Sequence, residues 1–134
     1  MSVMAHRVLI IDDEVSLARN IKDYLEVDGF DAEVCWDGEA GLAAFADLPA
    51  DVVVLDLTLP GMGGLDVLAR LRERAPRTKV IIITAHGDGQ TGAMVLQAGA
   101  FEYLAKPLAL SELRRVVGRA VAEAAEHGLR RPDH

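Results

Sequence analysis

The sequence predicts an α/β fold in which one doubly wound parallel sheet of five strands carries helices on both faces. Short apolar runs alternate with longer stretches whose apolar residues recur at helical spacing. The runs are nearly continuous in Val, Leu and Ile, which is typical of parallel strands that are buried on both faces. Right-handed crossovers between such strands distribute the helices over both faces of the sheet. We therefore expect five βα units in a single domain.

The composition fits a cytoplasmic domain that binds neither nucleic acid nor a membrane. The chain has 134 residues, of which 51% are hydrophobic, so it can bury an ordinary core. Its formal net charge is −7, and it lacks the basic stripe that an independent nucleic-acid binder carries. Cys35 is the single cysteine, which excludes a disulfide framework, and we expect it in or near the core. The N-terminus lacks the apolar segment of a signal peptide, and no apolar run is long enough to span a membrane.

The first two βα units are bounded by local signals. Arg7–Ile11 is predicted to be a strand that is buried on both faces, and the helix that follows it is predicted to end at Gly29. Phe30–Trp36 is a second, weaker strand. A turn at Asp37 leads into a short helix around Ala40–Phe45.

The third strand has the strongest signal of the five. Asp51–Leu55 is a β-branched run, as expected of a central parallel strand. A glycine-rich loop over Pro60–Gly64 follows, and the next helix starts at Leu65 and ends before Pro76. Lys79–Ile83 is then predicted to be the fourth strand.

The last part of the chain is predicted to form the fourth helix, the fifth strand and the final helix. A loop with Gly87 and Gly89 precedes a helix that is predicted over Ala93–Gln97, and Phe101–Leu104 is the fifth strand. The final helix is predicted from Leu110 to about Glu126.

We expect the domain to comprise residues 1–127. Residues 128–134 carry no periodic pattern and are interpreted as a C-terminal tail or a truncated linker. Ser111 either caps the final helix or lies in its first turn.

Three acidic side chains and one lysine follow the predicted strands. Asp12 and Asp13 come after the first strand, Asp56 after the third and Lys106 after the fifth. Because the carboxyl ends of parallel strands converge on one crevice, we expect these four side chains in one pocket. Clustered carboxylates are tolerated where a hard divalent cation binds among their oxygens, and a lysine opposite them suits an anionic phosphoryl ligand. The residues therefore predict a magnesium-dependent phosphoryl site.

Four short motifs occur together in this chain. They are Ile11-Asp12-Asp13-Glu14, Leu55-Asp56-Leu57 with Pro60-Gly61-Met62 and Gly64, Ile83-Thr84-Ala85, and Lys106-Pro107. Each is weak alone, but their order, spacing and placement after strands are specific. Through them the chain resembles the receiver domains of two-component response regulators over nearly its whole length. The stretches 84–87 and 98–104 resemble receivers that are attached to sigma-54-type activators.

The resemblance implies a flavodoxin-like (βα)5 fold with strand order 2-1-3-4-5. It also implies that Asp56 is the phosphoacceptor, whose carboxylate attacks a phosphoryl group and becomes an aspartyl phosphate. Mg²⁺ is the implied cofactor. Asp13 and Asp56 would hold it directly, Asp12 would act through bound water, and the backbone carbonyl of Thr58 would complete the protein ligands.

A conformational switch is implied as well. Lys106 would pair with one phosphoryl oxygen, and the Thr84 hydroxyl would bond to another. Tyr103 matches the aromatic residue whose ring turns inward as Thr84 moves, and a half-buried strand tyrosine is the alternative. The peptide bond before Pro107 is cis in the family, which would direct Lys106 into the pocket. The acyl phosphate would thus favour one arrangement of Thr84, Tyr103 and the segment His86–Gln97.

Each of these residues has a simpler interpretation when it is taken alone. Asp12 or Asp13 could cap the helix that follows them. Asp56 could be an ordinary turn residue, Thr84 a structural threonine and Lys106 a solvated loop lysine. Their joint occurrence favours the phosphoryl site.

Three other classes of protein share part of the pattern. A phosphatase of the haloacid-dehalogenase type also uses a nucleophilic aspartate with magnesium, but that aspartate follows its first core strand, whereas Asp56 follows the third. A dinucleotide-binding domain needs a glycine-rich turn after the first strand, where Asp12 and Asp13 would repel a pyrophosphate. An interaction domain that is never phosphorylated would share the fold, but the intact set of site residues argues against it.

The sequence therefore predicts a signalling receiver rather than an enzyme that turns over external substrates. A sensor histidine kinase or a phosphotransfer protein is the implied phosphoryl donor. The implied output is a changed surface of the fourth helix, fifth strand and fifth helix, which an attached or separate effector reads, for example to regulate transcription. Homodimers that form upon phosphorylation are common in the family, and the sequence assigns no interface for one here.

Overall fold

A computed structural model describes residues 5–85 and 88–129, with side chains in the last helix as far as Ala124. Strands and helices alternate through these ranges as β1 (Arg7–Ile11), α1 (Val15–Val27), β2 (Asp31–Cys35), α2 (Gly38–Asp47), β3 (Val52–Asp56), α3 (Gly64–Arg74), β4 (Lys79–Thr84), α4 (Gly89–Gln97), β5 (Glu102–Ala105) and α5 (Leu110–Leu129). His86 and Gly87 of the predicted switch segment, and residues 130–134 of the predicted tail, lie outside the described residues.

The strands form one parallel sheet in the order β2-β1-β3-β4-β5. The predicted fold class and strand order are confirmed. β1 and β3 lie side by side at the centre, where Ile11 is the register partner of Leu55. The carboxyl ends of β1 and β3 therefore lie side by side, as predicted from the positions of the acidic residues.

The core has two layers because successive residues of a strand point to opposite faces. On one face, residues such as Leu9 and Val53 pack against α2, α3 and α4. On the other face, residues such as Ile10 and Val54 pack against α1 and α5. Cys35 is buried, as predicted. In the described part of the chain, no helix has both the length and the apolar content that a bilayer crossing demands.

Several element boundaries differ from the predicted ones. The predicted turn at Asp37 is a helix cap, since its carboxylate accepts a hydrogen bond of 2.7 Å from the Ala40 N–H and α2 begins at Gly38. α4 begins at Gly89, four residues before its predicted start at Ala93. Its cap is Asp88, whose carboxylate accepts from the Thr91 N–H at 2.7 Å. A good cap thus outweighs the low helix propensity of glycine here.

Strands β3 and β4 each extend one residue beyond their predicted ends. Asp56 is the register partner of Ile83, and Thr84 is that of Ala105, so both residues belong to the ladder. At the C-terminus, α5 continues to Leu129, three residues beyond its predicted end. Ser111 lies in the first turn of that helix, and the first two residues of the predicted tail are helical.

The predicted end of α1 at Gly29 is confirmed. Gly29 has φ of +93°, a left-handed conformation that glycine adopts without steric cost. Its N–H donates to the Glu26 carbonyl at 3.0 Å, which closes the last turn of the helix.

Candidate functional site

The site lies at the carboxyl edge of the sheet, where four strands end. Asp12 follows β1, Asp56 ends β3, Thr84 ends β4 and Lys106 follows β5. The Lys106 N–H donates to the Thr84 carbonyl at 2.8 Å, which ties the end of β5 to that of β4. The Lys106 Nζ then lies 3.2 Å from Asp56 Oδ2 and 3.3 Å from Asp12 Oδ2. The peptide bond between Lys106 and Pro107 is cis.

The carboxylate of Asp56 is held on both of its oxygens. Oδ1 accepts a hydrogen bond of 3.0 Å from the Thr58 N–H, and Oδ2 accepts one of 3.2 Å from Lys106 Nζ. Only 6% of its side chain is exposed. The Leu57 N–H donates to the Ile83 carbonyl at 3.0 Å, which holds the backbone directly after Asp56 against β4. Asp56 is thus a rigidly placed carboxylate at the centre of the site.

The loop after β3 depends on a glycine. The Gly64 N–H donates to the Leu57 carbonyl at 3.1 Å, so the chain folds back tightly before α3. A Cβ at Gly64 would lie 2.6 Å from the Asp56 carbonyl oxygen and from Leu57 backbone atoms. Any other residue would push the loop away from β3. Gly64 therefore keeps Thr58 and its N–H against Asp56.

Asp12, Asp13 and Asp56 each place a carboxylate oxygen within 4.8 Å of the others. Asp12 is fully buried, whereas Asp13 is exposed. Asp12 Oδ1 accepts a hydrogen bond of 2.8 Å from the Glu14 N–H, but Oδ2 is buried without a hydrogen-bond partner. The nearby Lys106 supplies charge at 3.3 Å without hydrogen-bond geometry. Three clustered carboxylates, one of which has a buried oxygen without a hydrogen-bond partner, form a set of oxygen ligands that suits a hard divalent cation.

The electrostatics of the site follow from burial. Burial raises the pKa of Asp12 to about 6, the Glu14 N–H opposes this rise, and the neighbouring charge of Asp56 adds to it. For Lys106, burial lowers the pKa. The hydrogen bonds to Glu14 and Asp56, with the charges of Asp56 and Asp12, outweigh burial and raise it above its ordinary value. Lys106 is therefore a permanent cation.

The helix-capping interpretation of the first two acidic residues fits the structure poorly. Glu14 occupies the N-cap position of α1, and its own side chain makes no capping hydrogen bond. Asp12 bonds to the backbone of Glu14 rather than to the first turn of the helix. Neither Asp12 nor Asp13 therefore occupies the N-cap position of α1.

Thr84 and Tyr103 lie on the same side of the site, on neighbouring strands. Thr84 is fully buried at the end of β4. Tyr103 is half-buried on β5 and packs against the core cluster that contains Val95 and Ala100. Its ring lies directly over Gly92 of α4, where an added Cβ would come within 2.1 Å of the ring. Gly92 is a helical residue whose missing side chain makes room for the tyrosine.

Gly92→Ala is expected to displace the Tyr103 ring and to lower the free energy of unfolding. Overpacking costs about 1–3 kcal/mol, which exceeds the gain of about 1 kcal/mol in helix propensity. Denaturant unfolding measures the net effect, and the ring resonances of Tyr103 in NMR spectra report the displacement. Gly89→Ala is the matched control because nothing lies within 4 Å of its Cβ position. Equal stability of the two variants with unchanged Tyr103 resonances would contradict this account.

One contact at the site has no counterpart in the sequence-based prediction. Lys106 Nζ donates a hydrogen bond of 3.1 Å to Glu14 Oε1. Glu14 belongs to the first motif, but a sequence signal for a partner 92 positions away does not exist. The two residues meet only because β1 lies beside β3 in the folded sheet and β5 ends near them.

Comparisons with known proteins identify the family that this chain resembles. A family model described as response regulator receiver domain matches residues 8–118. Regulatory protein AtoC of Escherichia coli (strain K12) is 37% identical over 116 residues, which are 87% of this chain and 25% of that protein. Sensory transduction protein RegX3 of Mycobacterium tuberculosis (strain ATCC 25618 / H37Rv) is 44% identical over 106 residues, which are 79% of this chain and 46% of that protein.

A solved structure supports the same comparison. The receiver domain of the Francisella response regulator 1452 is 31% identical, with a TM-score of 0.84, over 88% of this chain and 98% of that one. The chain studied here spans about a quarter to a half of the length of the two curated relatives.

Proposed function

This chain belongs to the response-regulator receiver domain family, and we propose that it accepts a phosphoryl group on Asp56 from a histidine kinase or a phosphotransfer protein. The observation that carries the proposal is the placement of Asp56. It ends the central strand within reach of two further carboxylates and one lysine, and both of its oxygens are already oriented. Such a carboxylate can act as a nucleophile without a proton transfer.

In the proposed reaction, an Asp56 carboxylate oxygen attacks the phosphorus in line with the leaving group. An O–P bond forms as the P–N bond to the donor histidine breaks, and the electron pair of that bond stays on the imidazole nitrogen. Lys106 offsets the repulsion between the carboxylate and the phosphoryl oxygens, and the Thr58 N–H fixes the attack angle. Catalysis is thus mostly positioning and charge neutralisation.

We infer that Mg²⁺ is the cofactor of this reaction. The unsatisfied oxygen of Asp12 and the adjacent carboxylates of Asp13 and Asp56 suit a hard cation. Asp13, Asp56 and the backbone carbonyl of Thr58 are the proposed direct ligands, and Asp12 is proposed to act through bound water. The bound ion would supply positive charge against the phosphoryl oxygens.

The proposed output is a shift between two arrangements of Thr84, Tyr103 and α4. Thr84 would bond to the phosphoryl group, and the Tyr103 ring would leave its place over Gly92. The surface of α4, β5 and α5 would then change for a partner. Because the chain spans only part of its curated relatives, an attached effector and a role in transcription belong to this proposal. The sigma-54-type class of that effector rests on the resemblance of residues 84–87 and 98–104.

Intact-mass spectrometry tests the proposed function. The protein is incubated with acetyl phosphate in the presence of Mg²⁺ or of EDTA. We expect one phosphoryl adduct that requires Mg²⁺ and that hydroxylamine removes, as it removes acyl phosphates. The absence of an adduct with acetyl phosphate and with a panel of phosphorylated histidine kinases would contradict the proposal.

Lys106→Ala is expected to leave the fold intact and to uncouple phosphorylation from the conformational change. The side chain contacts carboxylates of the site rather than the core, so far-ultraviolet circular dichroism should be unchanged. The adduct should still form with acetyl phosphate, but the Tyr103 resonances should no longer shift when it forms. Lys22→Ala, on the exposed face of α1, is the control. A Tyr103 shift as large as that of the wild type would contradict this role.

A further inference from the structure

Glu14 makes a direct contact with the lysine of the site. Its Oε1 lies 3.1 Å from Lys106 Nζ, at least as close as Asp56 at 3.2 Å and Asp12 at 3.3 Å. The ammonium group carries three hydrogens, and it faces three carboxylates. In this structure, the cation that a phosphoryl group would need is surrounded by anionic partners that belong to the protein.

Helix capping by the Glu14 side chain does not explain this contact. Glu14 is the N-cap residue of α1, yet its side chain makes no capping hydrogen bond. Its backbone bonds, from its N–H to Asp12 and from the Ala18 N–H to its carbonyl, would persist with any other side chain. The side chain is also 59% exposed, at the rim of an open groove that Leu17, Pro107 and Leu108 line with it.

We propose that Glu14 is a positioning residue that holds Lys106 in the resting protein and competes with the incoming phosphoryl group for it. This inference rests on the proposed function. Asp12 and Asp56 are buried and fixed, whereas Glu14 is exposed and can swing into solvent. Glu14 is therefore the partner that Lys106 exchanges for a phosphoryl oxygen.

Removing the charge of Glu14 should consequently speed phosphorylation. Because the pair is solvent-exposed on one side, we expect Glu14→Gln to raise the rate with acetyl phosphate about two- to five-fold at saturating Mg²⁺. In a Lys106→Ala background, the same substitution should change the rate by less than about 1.5-fold, since coupling between two residues disappears when one partner is gone.

A second measurement needs no phosphoryl donor. The resting protein is treated with acetic anhydride, and the acetylation rate of each lysine is read by peptide mass spectrometry. Glu14→Gln should raise the rate at Lys106 severalfold, because the amine has lost its exposed partner. Glu26→Gln is the matched control. Glu26 holds Lys22 at 2.6 Å on the same helix, so that variant should expose Lys22 and leave both Lys106 and the phosphorylation rate unchanged.

The outcomes separate this inference from the function on which it rests. A wild-type protein that takes no phosphoryl group overturns the proposed function, whereas the labelling experiment still tests the resting contact. An unchanged labelling rate at Lys106 overturns the inference. So does an unchanged or slower phosphorylation rate in Glu14→Gln, or an acceleration that persists in Lys106→Ala, which would indicate repulsion of the donor without competition for the lysine.

Discussion

Asp56→Asn is expected to abolish the phosphoryl adduct completely. The amide is a poor nucleophile, whereas its shape and its oxygen preserve the hydrogen bond that Asp56 Oδ1 accepts from the Thr58 N–H. The fold should therefore remain, and the loss should be specific to the chemistry. Intact-mass spectrometry with acetyl phosphate and Mg²⁺ should show the unmodified mass alone, under conditions in which the wild type acquires one phosphoryl group.

The control for this variant is Asp47→Asn, which removes an exposed carboxylate at the end of α2. It should be phosphorylated to the same extent as the wild type. If Asp56→Asn still acquired a stoichiometric adduct, and peptide mapping found no substitute site, the assignment of Asp56 as phosphoacceptor would be wrong.

Asp12→Asn is expected to stabilise the metal-free protein and to reduce its stabilisation by Mg²⁺. The wild type buries a carboxylate oxygen without a hydrogen-bond partner, which is costly while that group is charged. Asparagine keeps the oxygen that accepts from the Glu14 N–H and removes the charge. The rise of the Asp12 pKa from 3.8 to about 6 corresponds to about 3 kcal/mol, which is an upper bound for the gain.

The gain should depend on pH in a defined direction. Between pH 3.8 and about 6, the folded protein keeps a proton on Asp12 that the unfolded chain has released. The unfolded state therefore binds fewer protons, and the contribution of Asp12 to the free energy of unfolding falls as the pH rises through this window. The stability difference between Asp12→Asn and the wild type should be small at pH 3.8 and reach its full value above about pH 6.

Denaturant unfolding with EDTA or with Mg²⁺ measures both effects. Magnesium should raise the stability of the wild type above pH 6 and raise that of Asp12→Asn by less. Asp13→Asn provides the comparison, because Asp13 is exposed. It should weaken Mg²⁺ binding without stabilising the metal-free protein. A metal-free Asp12→Asn protein that is less stable than the wild type at pH 7 would refute this explanation of the buried carboxylate.

Most of the scaffold follows from local patterns in the chain. The limits of β1 at Arg7 and Ile11 are as predicted, because an unbroken apolar run is bounded by charged residues on both sides. Gly29 ends α1 as predicted, since a left-handed residue favours glycine whatever lies around it. The start of α4 was predicted four residues late. Its first turn is rich in glycine and has no apolar periodicity, and only the cap at Asp88 reveals it.

Some features of the candidate site are likewise predictable from the sequence, whereas others depend on the folded structure. The sequence shows that Asp12, Asp13, Asp56 and Lys106 each lie at or just after the end of a strand, and this position brings them to one edge of the parallel sheet. Their functional roles remain predictions, which the experiments above test. Only the folded structure shows that Asp12 keeps a buried oxygen without a hydrogen-bond partner and that Lys106 contacts Asp56, whereas the Thr58 N–H reaches Asp56 from two residues away in the same loop.

The same holds for the two pairs that lie at the edge of the site. Glu14 meets Lys106, and the ring of Tyr103 rests on Gly92, although nothing in the local sequence marks any of these residues for its partner. Periodicity and capping are properties of neighbouring residues, so a sequence displays them directly. The contacts of Lys106 and the burial of Asp12 and Asp56 arise from segments that are distant along the chain, and they exist only once the sheet has brought those segments together.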